Sequence, residues 1–175
     1  TNTYAPVSYL REIFTAAISD PQVVALSIGT RSDCLSNEIL DLLSELNQIK
    51  PVWIELGLQT VHNQTLQKLN THTTFEQFEW ARQSLRKRGL SVIAHLILGL
   101  PGETKDMMLQ SVEYIAHSDI QGIKLQLLHI LKGTALSDQY VAEPFPLFTL
   151  DEYCDLIFDC IERLPEQIVI HRITG

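Results

Sequence analysis

The chain has 175 residues, 45% of them hydrophobic, and a formal net charge of −8. This length and composition predict a single domain over residues 1–175 with a sizeable core. No apolar run reaches membrane-spanning length, and the negative charge disfavours a broad nucleic-acid-binding surface. Nothing at the amino terminus resembles a signal peptide. The odd number of cysteines, Cys34, Cys154 and Cys160, argues against a disulfide framework, so we expect a cytoplasmic protein.

Apolar strand patterns alternate with amphipathic helix patterns along the whole chain. The predicted strands are Val23–Gly29, Val52–Gln59, Val92–Leu100, Gly122–His129 and Gln167–Ile173. The predicted helices are Val7–Ser19, Asn37–Gln48, Gln64–Leu69, Phe75–Arg88, Lys105–His117, Ala135–Val141 and Leu150–Arg163. Strands separated by single helices indicate a parallel sheet, either open or curled into part of a barrel. We expect each strand to neighbour the next.

Three helices carry recognisable start signals. Thr73-x-x-Glu76 and Thr149-x-x-Glu152 are typical of capping boxes, and Ser36 precedes a helical apolar stripe as an N-cap.

The second strand carries polar residues on one face only. Side chains alternate along a strand, so Glu55 and Gln59 share the face opposite Ile54, Leu56 and Leu58. A strand covered by helices on both sides would be apolar throughout, which makes a lined cavity the better interpretation. The alternative is a structural role, with Glu55 at an exposed strand end or paired with Lys124 or Arg31.

The third strand places His95 on the same inner face. The strand leads into Leu100-Pro101-Gly102-Glu103-Thr104, which predicts a turn followed by a helix with Thr104 as its N-cap. Gly99 and Gly102 would let a ligand approach the backbone closely.

A metal site is a weaker hypothesis. His95, His129 and His171 fall on or near strand ends, where zinc or iron could bind. There is no close His-x-His pair, and the cysteines have no metal-binding spacing. We therefore assign no metal ligand.

Five segments in order carry a resemblance to a known family. They are SIGTRSDCL (27–35), ELGLQTVHNQTL (55–66), HLILGLPGET (95–104), GIKLQLLHILKGT (122–134) and IVIHRITG (168–175). Together they resemble the radical S-adenosylmethionine (SAM) superfamily, in particular the bacterial Fe–S oxidoreductases related to the Elp3 radical domain and to oxygen-independent coproporphyrinogen III oxidase. The resemblance implies a partial TIM-type (β/α) barrel, truncated on its N-terminal side. It also implies a [4Fe–4S] cluster that reduces SAM to a 5′-deoxyadenosyl radical.

The resemblance also implies cofactor contacts. Gln59 stands where relatives contact the ribose, the backbone of Ile97–Gly99 where they hold adenine, and residues 1–3 where they hold the methionyl group. The loop after the Val23–Gly29 strand supplies polar groups in some relatives. The full predicted cofactor-binding set is Gln59, Glu55, Arg31, Asp33, Thr3, His95, Ile97 and Gly99.

The sequence departs from the family pattern in three places. Ser32 replaces a usual proline, and Thr71 stands where many relatives have an arginine that meets the cofactor carboxylate. The cysteine triad that binds the cluster would precede Thr1, and the three cysteines present cannot replace it. We therefore expect a truncated part of a larger enzyme, or else a degenerate homologue. SAM and [4Fe–4S] belong to the intact parent, and we expect neither to bind this segment tightly.

Two other classes of function stay open, and the substrate is not identified. A conventional barrel enzyme would use Glu55 as acid or base beside His95. A noncatalytic module would use the fold as a scaffold only. Because the first barrel strands are missing, we expect the first predicted strand to be an edge that self-associates or is occluded by residues 1–6.

Overall fold

The computed structural model describes residues 2–174, which form an α/β fold around one parallel five-stranded sheet. The strands lie in chain order, each paired with the next: β1 Leu26–Arg31, β2 Val52–Gln59, β3 Ser91–Leu98, β4 Gly122–Leu127 and β5 Val169–Arg172. The predicted parallel sheet, its strand order and the fold class are confirmed. A parallel sheet of this order is the architecture of a partial barrel.

The seven predicted helices are confirmed, with ends that differ from the prediction by at most one residue. They are α1 Val7–Ser19, α2 Asn37–Asn47, α3 Asn63–Lys68, α4 Phe75–Lys87, α5 Lys105–Ala116, α6 Ala135–Ala142 and α7 Leu150–Arg163. A short 3₁₀ helix, Ser32–Cys34, was not predicted. Within residues 2–174, no helix is both long enough and apolar enough to cross a bilayer.

The first strand begins three residues later than predicted and ends two residues later. Asp20 accepts hydrogen bonds from the amides of Gln22 and Val23, which closes a turn where the prediction placed the strand start. At the other end, the ladder with β2 continues through Arg31. Arg31 is therefore the last residue of a strand and not part of the following loop.

Three further strands and one capping box were predicted wrongly in detail. The third strand ends at Leu98 because Gly99 turns to a φ of 86°, which a continuing strand does not allow. The fourth and fifth strands are also shorter than predicted. The capping box before α4 is formed by Thr74 and Gln77, not by the Thr73 pattern, whereas the Thr149–Glu152 box and the Ser36 and Thr104 caps are confirmed.

The two faces of the sheet differ in what covers them. Alternate strand residues such as Ile54, Leu56 and Leu96 are fully buried in the core that the helices close. The residues between them face the other side, which we call the lumen face. Its central members are Ser27, Glu55, Gly57, Gln59, His95, Ile97 and Lys124, and apart from exposed Ser27 they are half-buried.

The amino-terminal residues lie along the outer edge of β1. The amide of Asn2 donates to the carbonyl of Gly29 at 3.1 Å, and the hydroxyl of Thr3 donates to the carbonyl of Cys34 at 2.7 Å. Part of the β1 edge is therefore occluded by the segment that we expected to cover it. Thr1 lies outside the described residues.

Candidate functional site

The sheet register sorts the lumen face into rows that run across the strands. One row pairs Ser27 of β1 with Trp53 of β2 and Ser91 of β3. The row above it contains Gly29, Glu55, Ile93 and Gly122. We call the next row, nearer the carboxyl ends of the strands, the upper row; it contains Arg31, Gly57, His95, Lys124 and Arg172.

Glu55 is the centre of a hydrogen-bonded cluster on this face. Its carboxylate accepts from Lys124 Nζ at 2.6 Å and from Ser27 Oγ at 2.8 Å. His95 Nε2 lies 3.2 Å from Glu55 Oε2, but the geometry does not give a hydrogen bond, and this buried nitrogen has no partner within residues 2–174. The predicted pairing of Glu55 with Lys124 is confirmed, and the one with Arg31 is wrong.

The cluster fixes the charge states of its members. Burial alone raises the pKa of Glu55, but the hydrogen bonds from Lys124 and Ser27 outweigh it and lower the pKa below the usual range. Burial and then the nearby Lys124 lower the pKa of His95, against the opposing pull of Glu55. At neutral pH the lumen therefore holds an ionised carboxylate and a neutral imidazole.

Gln59 has an unusual backbone at the carboxyl end of β2. Its φ is 67°, and the β2–β3 register shifts between Gly57 and Gln59. The side chain folds back over Gly57, with Nε2 2.8 Å from where a Cβ would stand there. A left-handed conformation costs a non-glycine residue energy, and such strain concentrates at functional sites. The alternation pattern predicted the face of Gln59 but not this bulge.

Arg31 and Asp33 meet at the neighbouring strand end. The guanidinium donates to both carboxylate oxygens, from Nε at 2.9 Å and from Nη2 at 2.5 Å. This pairing lowers the pKa of Asp33 and raises that of Arg31. Ser32 between them is buried, and its hydroxyl has no partner in the described part of the chain. The two predicted residues are therefore next to each other, at the same edge of the sheet as Gln59.

The backbone of Ile97–Gly99 lies at the corresponding end of β3. The loop that follows it is hydrogen-bonded to Thr60, a residue that the sequence did not single out. Thr60 Oγ1, directly after Gln59, donates to Glu103 Oε1 at 2.6 Å. This hydrogen bond joins the two strand ends proposed to hold ribose and adenine. The Pro-Gly turn indicated the loop in the sequence, but nothing in the residue spacing indicated the hydrogen bond between Thr60 and Glu103.

Thr3 is placed differently from the other predicted residues. Its side chain is buried, and its hydroxyl shares a 2.5 Å hydrogen bond with the hydroxyl of Thr30. The residue as a whole is 1% exposed, so in this structure neither its side chain nor its backbone is open to a ligand. At the position of the missing arginine, the hydroxyl of Thr71 donates to the carbonyl of Leu66 at 3.2 Å.

The thiols of this chain do not fit an iron–sulfur cluster. Cys34 and Cys160 are buried, and Cys154 is exposed on α7. Burial raises the pKa of Cys160 to about 12, whereas a cluster ligand is a thiolate. From residue 2 to residue 174, no three His, Cys, Asp or Glu side chains are grouped closely enough to hold a metal ion.

The polar groups at the strand ends do fit SAM. An amide, a charged pair and the backbone of a strand end lie at one edge of a parallel sheet, where such folds bind ligands. Phe148 packs against Gly99 at this strand end. Gln59 can accept from one hydroxyl and donate to another acceptor, as contact with a ribose requires.

Comparison with protein families agrees with this geometry. Residues 2–115 match the model of the Radical SAM superfamily, and residues 120–175 match the Radical_SAM C-terminal domain. The chain belongs to the radical SAM superfamily, whose intact members use SAM and a [4Fe–4S] cluster. One sheet runs through both matched regions, since β3 pairs with β4.

Individual relatives support the same assignment. The chain is 43% identical over its whole length to the uncharacterized protein YtqA of Bacillus subtilis and spans 54% of that protein. It spans only about half the length of the curated relatives that it matches. The solved Elp3 of Methanocaldococcus infernus superposes with a TM-score of 0.83 at 22% identity, over 97% of this chain and 45% of that one. Coproporphyrinogen III oxidase of Escherichia coli gives 0.73 at 16% identity, over 93% and 37%. These structures confirm the fold.

Proposed function

We propose that the protein containing this chain is a radical SAM enzyme and that this chain supplies most of the contacts to SAM. The cluster is held by residues outside the described range, because the thiols within it do not fit. When bound, the cluster and SAM supply a 5′-deoxyadenosyl radical that removes a hydrogen atom from the substrate. What this chain contributes is binding and orientation.

The observation that carries the proposal is the conformation of Gln59. Its left-handed backbone and the bulge before it turn the amide across the lumen face at the strand end. Arg31 and Asp33 lie at the adjacent strand end, and Ile97–Gly99 lies on the other side. We assign the ribose to Gln59, the adenine to the Ile97–Gly99 backbone, and the polar end of SAM to the β1 side.

Glu55 and His95 have a different place in this proposal from the one the sequence suggested. Gln59 lies four positions after Glu55 along β2, which is about 13 Å in an extended strand, so Glu55 lies below the strand end, in the lumen. His95 is the register partner of Gly57 and lies one row above Glu55. We assign Glu55 and His95 to the walls of the substrate space rather than to direct contact with SAM.

The experiment substitutes Gln59 with leucine in the full-length, cluster-loaded protein. An unpaired polar group in a binding site costs roughly 1–3 kcal/mol, so the Kd for SAM should rise roughly five- to 150-fold. Gln67→Leu, the same exchange on the surface of α3, is the matched control. Unchanged SAM affinity with a lower melting temperature would make Gln59 a structural residue and refute the site assignment.

The two other classes of function find less support. An acid–base role for Glu55 in a conventional barrel enzyme needs a raised pKa, whereas the Lys124 and Ser27 contacts lower it. A scaffold would fill its lumen with large side chains, but a Cβ at Gly29 would meet nothing within 4 Å.

Self-association through the β1 edge and a cytoplasmic location stay proposals. Asn2 occupies only one backbone acceptor of β1, at Gly29, among the contacts described. A second chain could pair with the rest of that edge. Light scattering over a concentration series tests this, and a constant monomer mass would contradict it.

A further inference from the structure

The segment between β4 and α7, residues 129–148, is loosely attached to the rest of the fold. It contains α6, and none of its residues is buried. Within residues 2–174 it makes no ion pair, and its hydrogen bonds all stay inside the segment. Local opening of such a segment costs little free energy, because few contacts are broken.

Both ends of this segment are fixed at the carboxyl edge of the sheet. Just before it, the amide of Leu128 donates to the carbonyl of Leu98, the last residue of β3, at 2.9 Å. Just after it, the capping box of Thr149 and Glu152 begins α7. Because α7 leads into the parallel strand β5, it starts at the edge where β4 ends. The segment therefore lies at the same edge as the proposed SAM contacts.

Contacts inside the segment hold it together as one body. The rings of Tyr140 in α6 and Phe145 lie 5.1 Å apart at 79°, which ties the helix to the residues that follow it. Pro144 and Pro146 restrict the backbone on either side of Phe145. Gly133 precedes α6 with a φ of 79°, and a Cβ there would meet nothing within 4 Å. A stiff body beside an unpacked glycine can swing without breaking its internal contacts.

Phe148 is the residue through which the segment rests on the end of β3. Its ring lies 3.2 Å from the position of a Cβ on Gly99, and the ring centroid is 6.4 Å from that of Tyr153 on α7. A cavity of about 380 Å³ lies between residues 145–148 and the loop that follows β3. The segment therefore contacts the backbone assigned to adenine and has space to move beside it.

We propose that residues 129–148 are a lid that closes over SAM at the end of β3, with Phe148 packing against the adenine. The inference rests on the proposed function, which assigns the adenine to the backbone of Ile97–Gly99. An aromatic ring beside that backbone is suited to a base, because stacking needs no particular hydrogen-bond pattern. Leu131, Val141 and Leu147 are exposed in the structure, and closure can remove this apolar surface from water. A closed lid also keeps water away from the reaction.

Hydrogen exchange of the full-length, cluster-loaded protein with and without saturating SAM tests the lid. We expect SAM to slow exchange at the α6 amides about tenfold or more, because a closed lid opens less often. The exposed loop at residues 48–51 lies at the opposite edge of the sheet and is the reference, which should not change. Trypsin gives a second measure, since Lys132 is the only lysine or arginine in the lid and cleavage after it should slow in parallel.

Three phenylalanine variants separate a lid contact from core packing. Phe148→Ala should raise the Kd for SAM about fivefold or more and abolish the SAM-dependent slowing at α6. Phe148→Tyr keeps an aromatic ring and should restore both. Phe158→Ala is the matched control, since Phe158 is exposed on α7, and it should change neither. The exchange measurement on the unmodified protein stays decisive if Phe148→Ala does not fold.

The outcomes distinguish the lid from the proposed function. SAM binding without slower exchange at α6 would overturn the lid and leave the proposed function standing. A lower melting temperature in Phe148→Ala, with SAM affinity and slowing as in the unmodified protein, would make Phe148 a core residue and end its assignment to the adenine. If the unmodified protein does not bind SAM, the proposed function fails and the lid fails with it.

Discussion

The two faces of β2 are built from alternate residues of one strand, yet they have different roles. On the helix side, Leu56 has no exposed surface and belongs to the main core. On the lumen side, Glu55 keeps 21% of its side chain exposed and is held by Lys124 and Ser27. The helix face gains free energy by removing apolar area from water. The lumen face gives up part of that gain to hold charged groups where a ligand can reach them.

Most of the apolar burial that stabilises the sheet is on its helix side. The fully buried residues of β2 and β3 in the main core, such as Ile54, Leu56 and Leu96, all face the helices. Ile93 is buried on the lumen side but lies outside that core. Substitutions on the two faces should therefore separate stability from binding.

The largest expected effect is on the helix face. Leu56→Ala should reduce the free energy of unfolding by about 2–5 kcal/mol, because it deletes buried methyl groups and leaves a cavity. Urea denaturation measures it. Ile97→Ala, on the half-buried lumen face of β3, is the matched control and should cost clearly less. Equal losses would show that both faces of the sheet contribute equally to the core.

The next effect concerns the ion pair on the lumen face. Glu55→Gln and Lys124→Gln should each reduce the free energy of unfolding by about 1–3 kcal/mol, because each leaves its partner charge poorly solvated. The double variant removes both charges and should be less destabilised than the sum of the single variants. Urea denaturation of all four proteins gives the coupling. Strict additivity would mean that the two charges do not interact across the lumen.

The helix face could be predicted from the sequence far better than the lumen cluster. Leu56 and its neighbours follow a period of two, and the helices carry apolar stripes with a period of 3.6 residues. The predicted strand order was therefore right, and the predicted helix ends were right to within one residue. The same period placed Glu55 and His95 on one face. It could not choose between Lys124 and Arg31 as the partner, because that choice depends on distances between strands far apart in sequence.

The strand ends were harder still to predict. The bulge at Gln59 and the extension of β1 through Arg31 depend on pairing between strands, which local propensity does not encode. The contact between Thr60 and Glu103 joins residues 43 positions apart. Neither side chain belongs to a periodic pattern in the sequence, so the contact is visible only in the folded chain.

A pH effect follows from His95. Burial and Lys124 place its folded-state pKa below the ordinary value, so the unfolded chain binds the proton more tightly. The stability it contributes is complete above about pH 6.5 and is lost as the pH falls below that value. Urea midpoints measured in steps from pH 8 to pH 5 should decline less in His95→Gln than in the wild type. An equal decline would assign the loss to other groups, His171 among them.

The smallest expected effect on stability is at Gln59, and it should run opposite to the effect on binding. Glycine adopts a φ of 67° without steric cost, so Gln59→Gly relieves strain of roughly 1–2 kcal/mol. The added freedom of the unfolded chain offsets roughly 0.5–1 kcal/mol of that, which leaves a small net gain in stability. SAM affinity should nevertheless fall as it does in Gln59→Leu, because the amide is gone. Thermal unfolding and SAM titration of the same cluster-loaded sample compare the two. A loss of stability would mean that the folded-back amide supports the sheet through Gly57, and the strain at this strand end would then need a structural explanation rather than a functional one.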